Sequence, residues 1–280
     1  MKATAYSPVM RVSVLAIMVF QACALFARSA LDVSLAERGV SPEVANDLSY
    51  LVVPPILAVL LYPYLRRHWK SLLGLFRLES LTCRLFLLAF LLGVLLRLTY
   101  WSLLTVSMWA GVIGEADPNV VAGPILGFGC PPLPVLSLSL LTMSVLVPLV
   151  EETINRGLLL HSLISRGVVV SVVLSAFLFA LAHRPDTYIA AFAAGLLLAV
   201  QTLNSRTLWA SFVTHGTYNL AATIQWDCFQ IIWNPPVADP ALAAATRIAA
   251  PAAVASAILC CWLVSKQAIG ASVPRLPDPA

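Results

Sequence analysis

At 280 residues the chain is long enough for one large domain, yet 60% of it is apolar and only 11% is charged. An ordinary globular protein carries about 25% charged residues, so 17 Lys and Arg with 13 Asp and Glu cannot solvate a 30.1 kDa surface, and the mean hydropathy of +0.90 points to the bilayer as solvent. The formal net charge of +4 is small and its cations are scattered between apolar runs, which excludes a nucleic-acid surface.

In chain order, apolar runs of helix-spanning length fall at 10–27, 48–65, 83–104, 137–160, 168–186, 187–203, 207–225 and 248–265. They predict an all-α fold, a polytopic transmembrane helical bundle of about eight spans that makes residues 1–280 a single integral membrane domain. The first run has a basic start and small residues around Ala27-Arg28-Ser29-Ala30, the outline of a signal peptide; the arginine in that site favours a retained helix. Residues 66–84, with Arg66, Arg67 and Lys70, are expected to form a loop contacting anionic lipid. Later punctuation comes from Gly123 to Pro134, from Arg184-Pro185-Asp186, which forms nearly the whole connection between two runs, from Asn204-Ser205-Arg206 and from Asn234-Pro235-Pro236.

With both termini cytoplasmic, Lys2, Arg11, Arg66, Arg67, Lys70, Arg77, Arg84, Arg156, Arg166, Arg206, Lys266 and Arg275 fall inside, while Arg28, Arg38, Arg184 and Arg247 fall outside. That bias matches a multi-pass protein with an even number of spans, and a bacterial inner (plasma) membrane is the expected setting. The six cysteines show no metal-binding spacing, and no cofactor or metal is expected. Cys130 and Cys228, both in outer loops, are the one pair placed to form a disulfide.

Ionisable groups inside spans are costly, so they usually face partners or a wet cavity. Arg97 has no evident partner in its own span and is expected to be structural. Glu151, Glu152 and Arg156 follow the apolar run from Leu136 to Val150. On an α-helix Glu152 and Arg156 are four residues apart with the acid first, the favourable orientation for an ion pair. Glu151 is rotated by about 100° and is left available as a base. Phe179 and His183 form another i, i+4 pair, as do His215 and Asn219, whose side chains project from one helix face.

A turn centred near Gly167 has Glu151 sixteen residues before it and His183 sixteen after, so antiparallel helices bring both to a depth of roughly 24 Å. His215 lies nine residues beyond Arg206, about 13 Å into its span, an unequal depth.

These three ordered motifs, Glu-Glu-x-x-x-Arg at 151–156, Phe-x-x-x-His at 179–183 and His-x-x-x-Asn at 215–219, resemble those of the CAAX-processing and bacteriocin-immunity (CPBP, or Abi) family of glutamate-dependent intramembrane endopeptidases. The resemblance covers about residues 137–226, the expected catalytic core. It implies that Glu151 activates a water assisted by His183, that His215 and Asn219 bind the oxyanion, and that Glu152 and Arg156 hold the geometry and charge of the site. The substrate it implies is a membrane-associated protein or peptide, either a C-terminal tail or a bacterial sorting tail.

Two other functions fit the same residues. One is a metal-dependent membrane hydrolase with Glu151, His183 and His215 as ligands; the other is a non-enzymatic immunity or scaffold protein that uses the polar cluster to bind a partner. Taken singly, each motif also has a plain explanation: interfacial charges with a snorkelling arginine, an interfacial histidine, and interhelical hydrogen-bond glue.

Overall fold

A computed structural model describes residues 12–109, 132–183, 185–223 and 240–267. The described residues contain helices and turns and no strand. We number the helices α1 (Val14–Glu37), α2 (Pro42–Tyr50), α3 (Val53–Leu60), α4 (Tyr62–Leu75), α5 (Cys83–Trp109), α6 (Leu133–Arg166), α7 (Val168–Leu181), α8 (Tyr188–Ser205), α9 (Leu208–Thr223) and α10 (Pro240–Lys266). Cys130 and Cys228 lie outside the described residues, as do both chain ends.

Five helices are long and apolar enough to cross a membrane: Val14–Glu37, Cys83–Ser107, Leu133–Arg166, Tyr188–Ser205 and Arg247–Lys266. A sixth crossing arises if the broken pair Val44–Leu60 and Tyr62–Ser80 counts as one. The described part of each expected run is largely helical, but not every run is a full-length span. At 1.5 Å per residue, the 14 residues of α7 reach about 21 Å, short of a hydrocarbon core of about 30 Å, while α9 is described for 16 residues up to Thr223. These two helices carry the motif histidines or lead directly to them.

The expected span at 48–65 is broken, with its two halves meeting at 91°. The cause is local. Pro63 has no amide hydrogen and its ring opposes the carbonyl four residues back, so α3 stops at Leu60 and a new helix starts at Tyr62. The stretch expected as a loop from residue 66 is therefore mostly helical. Along α4, Leu72 and Leu75 are buried while Arg66, Arg67, Trp69 and Lys70 are exposed, the two-faced pattern of a helix lying at an apolar boundary.

The main core gathers Leu158, Leu159 and Leu163 of α6 against Ile17 and Ala24 of α1, Leu57 of α3, Leu72 and Leu75 of α4, and Leu208 of α9. A second core joins Leu92 of α5 to Cys260, Leu263 and Val264 of α10. Large apolar side chains also cover the outside, with Phe26 78% and Ile189 88% exposed, which water would not tolerate but lipid does.

α9 is held by two close backbone approaches. A Cβ on Gly93 of α5 would sit 2.5 Å from the Thr214 carbonyl oxygen, and one on Gly216 would sit 2.6 Å from that of Ser144 in α6. Both neighbours are backbone atoms that cannot swing aside. Gly93→Ala and Gly216→Ala are each expected to destabilise the protein by about 1–3 kcal/mol, read as a lowered unfolding midpoint in detergent. Gly74→Ala, where a Cβ meets nothing within 4 Å, is the neutral control.

Candidate active site

The site grows out of an irregularity in α6. Residues 142–146 and 153–160 are wound as π-helix, and such turns relieve local conflicts in the hydrogen-bond ladder. In the first, the Val147 amide bonds to the Thr142 carbonyl, five residues back. The next amide in that register would satisfy Met143, but residue 148 is proline and has none to give. The vacant Met143 carbonyl instead accepts a 2.8 Å hydrogen bond from Asn219 Nδ2 on α9. The second π-turn is closed in a similar way: His161 Nδ1 donates to the Arg156 carbonyl at 2.6 Å.

Between these turns lie the two glutamates. Glu152 is fully buried, and its Oε1 lies 3.1 Å from Arg156 Nη1 and 2.9 Å from His215 Nδ1. Arg156, equally buried, lays its guanidinium 4.2 Å from the centre of the Phe179 ring. The carboxylate is held between a guanidinium and an imidazole, and this arrangement orients His215. Because an ionised carboxylate only accepts, Nδ1 carries the proton and Nε2 turns to the opposite side.

Glu151 is on that opposite side. Its Oε2 stands 3.8 Å from His215 Nε2, too far for a hydrogen bond and close enough for electrostatic attraction. Its side chain is 29% exposed, whereas that of Glu152 is 0%. Adjacent residues thus have opposite situations: one carboxylate is locked and the other is accessible. Asn155 steadies this turn by donating from Nδ2 to the Glu151 carbonyl at 2.9 Å.

His183 reaches the site through Phe179. Its Nδ1 donates to the Phe179 carbonyl at 2.8 Å, leaving Nε2 without that commitment, and the two rings sit 4.5 Å apart. The Phe179 ring also meets His215 edge-on at 5.9 Å. Phe179 therefore contacts Arg156, His183 and His215 together, more than the apolar wall beneath His183 that its spacing suggested. Among the described residues, the imidazole within ion-pair range of Glu151 is that of His215. The unequal depths inferred for Glu151 and His215 do not keep them apart, as Oε2 and Nε2 stand 3.8 Å from each other.

Of the residues singled out in the sequence, Glu151, Glu152, Arg156 and His215 meet directly. Phe179 and His183 join them through ring contacts, and Asn219 sits one turn from His215 with one amide hydrogen engaged by Met143. Asn155, His161 and the Met143 carbonyl were not foreseen. Pro148, in the middle of an apolar run, was the one available sign of the vacant carbonyl. No group of three His, Cys, Asp or Glu among the described residues is arranged to hold a metal ion, so Glu151, His183 and His215 do not form the ligand set considered from the sequence.

The segment that builds this site, from the first residue of α6 almost to the end of α9, is also the segment that matches a known family. Residues 133–221 fit the family described as Rce1-like, type II CAAX prenyl endopeptidase. This segment is similar to the Rce1-like endopeptidases, as the CPBP resemblance leads one to expect. The match bears out the resemblance drawn from the three motifs, and the Rce1-like segment supports a membrane endopeptidase in general terms. With five to six candidate spans around it, the chain is an integral membrane protein. Neither a curated protein nor a solved structure matches the chain.

Proposed function

We propose that the chain is a glutamate-dependent intramembrane endopeptidase that cuts a peptide bond in a membrane-associated protein or C-terminal tail. The observation that carries this reading is the His215 imidazole held by Glu152 on one nitrogen and facing the accessible Glu151 with the other. Glu151 takes a proton from a water, and the resulting hydroxide adds to the scissile carbonyl carbon. The electron pair displaced onto the carbonyl oxygen is met by the second amide hydrogen of Asn219 and by His215 in its doubly protonated form, with Nδ1–H held by Glu152 and Nε2–H turned to the oxyanion. As the C–N bond breaks, the amine leaves with a proton supplied by Glu151 or passed on by His183. Arg156 takes no part in the bond changes; it keeps Glu152 ionised and the imidazole in register.

In this reading residues 137–226 are the catalytic core of a single membrane domain over 1–280. The protein sits in a bacterial inner membrane and trims tails or peptides delivered within the bilayer. The test is a comparison of membrane-protein termini by mass spectrometry in cells carrying the native chain or Glu151→Gln at equal abundance. Termini that appear only with the carboxylate are expected; an adequately sampled set with no such terminus overturns the reading.

A further inference from the structure

α4 has no part in the reaction above, yet it touches both helices that build the site. The 91° break turns it across the end of the bundle. Its last carbonyls, which the helix itself cannot satisfy, are taken up by the opening of α9. Thr207 Oγ1 donates to the Leu75 carbonyl at 3.0 Å and Trp209 Nε1 to that of Phe76 at 2.8 Å, and the Phe76 and Trp209 rings meet edge-on at 5.6 Å. His215 follows six residues after Trp209 on the same helix. On the buried side of α4, Leu72 meets the second π-turn of α6: a Cβ on Gly157, the residue after Arg156, would stand 3.0 Å from the Leu72 side chain.

The outward side of α4 is divided. At about 100° per residue, Trp69 and Leu73 fall on one edge of it, and Arg66, Lys70 and Arg67 follow in turn round to the other edge, all five exposed. With Leu72 and Leu75 buried opposite, the helix has one face for the protein, one that is apolar and one that is cationic. Residues 62–80 set Arg66, Arg67, Lys70 and Arg77 against Glu79 alone, and among the described residues no carboxylate pairs with these cations. An indole and a leucine beside three cations match a phospholipid, whose acyl chains and phosphate adjoin at the membrane interface. An acidic peptide would satisfy the cations and leave Trp69 and Leu73 uncovered. We propose that α4 binds anionic phospholipid headgroups through Arg66, Arg67 and Lys70, with Trp69 and Leu73 among the acyl chains, and that this seating holds the start of α9 and the π-turn of α6 in register, so that the site responds to bilayer charge. The binding stands by itself; its effect on turnover rests on the endopeptidase reading.

The test uses the full-length protein twice. In neutral detergent, phosphatidylglycerol is titrated against the unfolding midpoint; in vesicles of phosphatidylcholine with or without phosphatidylglycerol, kcat/KM is measured on an uncharged, lipid-anchored peptide. Phosphatidylglycerol is expected to raise the midpoint where phosphatidylcholine does not. At about fivefold in affinity per basic residue, the combined Arg66→Gln, Arg67→Gln and Lys70→Gln variant should need about 100-fold more of it. The anionic bilayer should raise native kcat/KM at least about fivefold, the lower end of coupling between two sites, and leave that variant unchanged. Arg66→Lys with Arg67→Lys, which keeps the charge, should retain both responses. Trp209→Phe, which loses the donor to the Phe76 carbonyl, should keep the midpoint response and lose most of the rate response. A native midpoint that ignores phosphatidylglycerol, an equal response in the triple Gln variant, or the same rise with inorganic phosphate overturns the assignment. So does faster cleavage in pure phosphatidylcholine of a peptide with acidic residues before the cut, if the triple variant abolishes it, since the cations then serve the substrate. A midpoint response without a rate response in a chain that cleaves overturns the coupling. No cleavage in either bilayer, with the midpoint response intact, removes the endopeptidase reading and upholds the lipid site.

Discussion

Glu151→Gln is expected to lower kcat by roughly 10²–10⁴-fold, the usual contribution of a positioned general base, and to leave the unfolding midpoint nearly unchanged. Both halves follow from the surroundings of the side chain. Glu151 is partly exposed, and its Oε2 has no hydrogen-bond partner, so glutamine removes no bond to that oxygen. What it removes is the ability to accept a proton from water, because an amide oxygen is a far weaker base than a carboxylate. KM should move little, since the substitution preserves size and shape. Steady-state kinetics on a cleavable membrane peptide, with a detergent unfolding curve on the same preparation, measures both. A large fall in stability, or a modest fall in kcat, would place the base elsewhere.

Arg156→Met has the opposite profile. It deletes the cation that neutralises a fully buried carboxylate and leaves the Glu152–His215 bond alone to hold that charge. Breaking one side of a buried ion pair costs about 3–5 kcal/mol, because the remaining charge keeps its desolvation penalty and loses its partner. The unfolding midpoint should drop sharply and activity should fall with it. Adding Glu152→Gln to Arg156→Met removes the stranded charge and should recover a large part of the lost stability, though not the activity. Arg156→Lys keeps the charge but loses the planar contact over Phe179, so it should fall between the native chain and Arg156→Met. Additive effects of the two neutral substitutions would show that the side chains do not act as a pair.

The contrast between these neighbouring glutamates was legible in the sequence. An i, i+4 spacing to Arg156 identifies Glu152 as the paired acid, and the 100° rotation identifies Glu151 as the free one; the geometry follows both. Gly167 also falls where the spacing placed the turn, with a positive φ of 101° that a side chain would resist. The rest depended on backbone detail to which side-chain periodicity is blind. A run of apolar residues looks the same whether it winds as α- or π-helix, so the Met143 carbonyl and its bond to Asn219 could not be read from spacing. The break at Leu61 was hidden for a related reason: hydropathy averages across Pro63, whereas the hydrogen-bond ladder stops there. The run at 168–186 counted as a span because the sequence does not tell a helix facing lipid from a shorter one sheltered among its neighbours.

The glycine contacts that clasp α9 also bear on the timing of turnover. With its backbone pressed against Gly93 of α5 on one side and Ser144 of α6 on the other, the helix has no slack through which its imidazole could drift out of alignment. The entropic cost of assembling the donors is met once, when the chain folds, and is not repeated in each cycle. The slow event should then be the arrival or departure of peptide through the surrounding lipid, so turnover should respond more to bilayer fluidity than to changes in leaving-group chemistry.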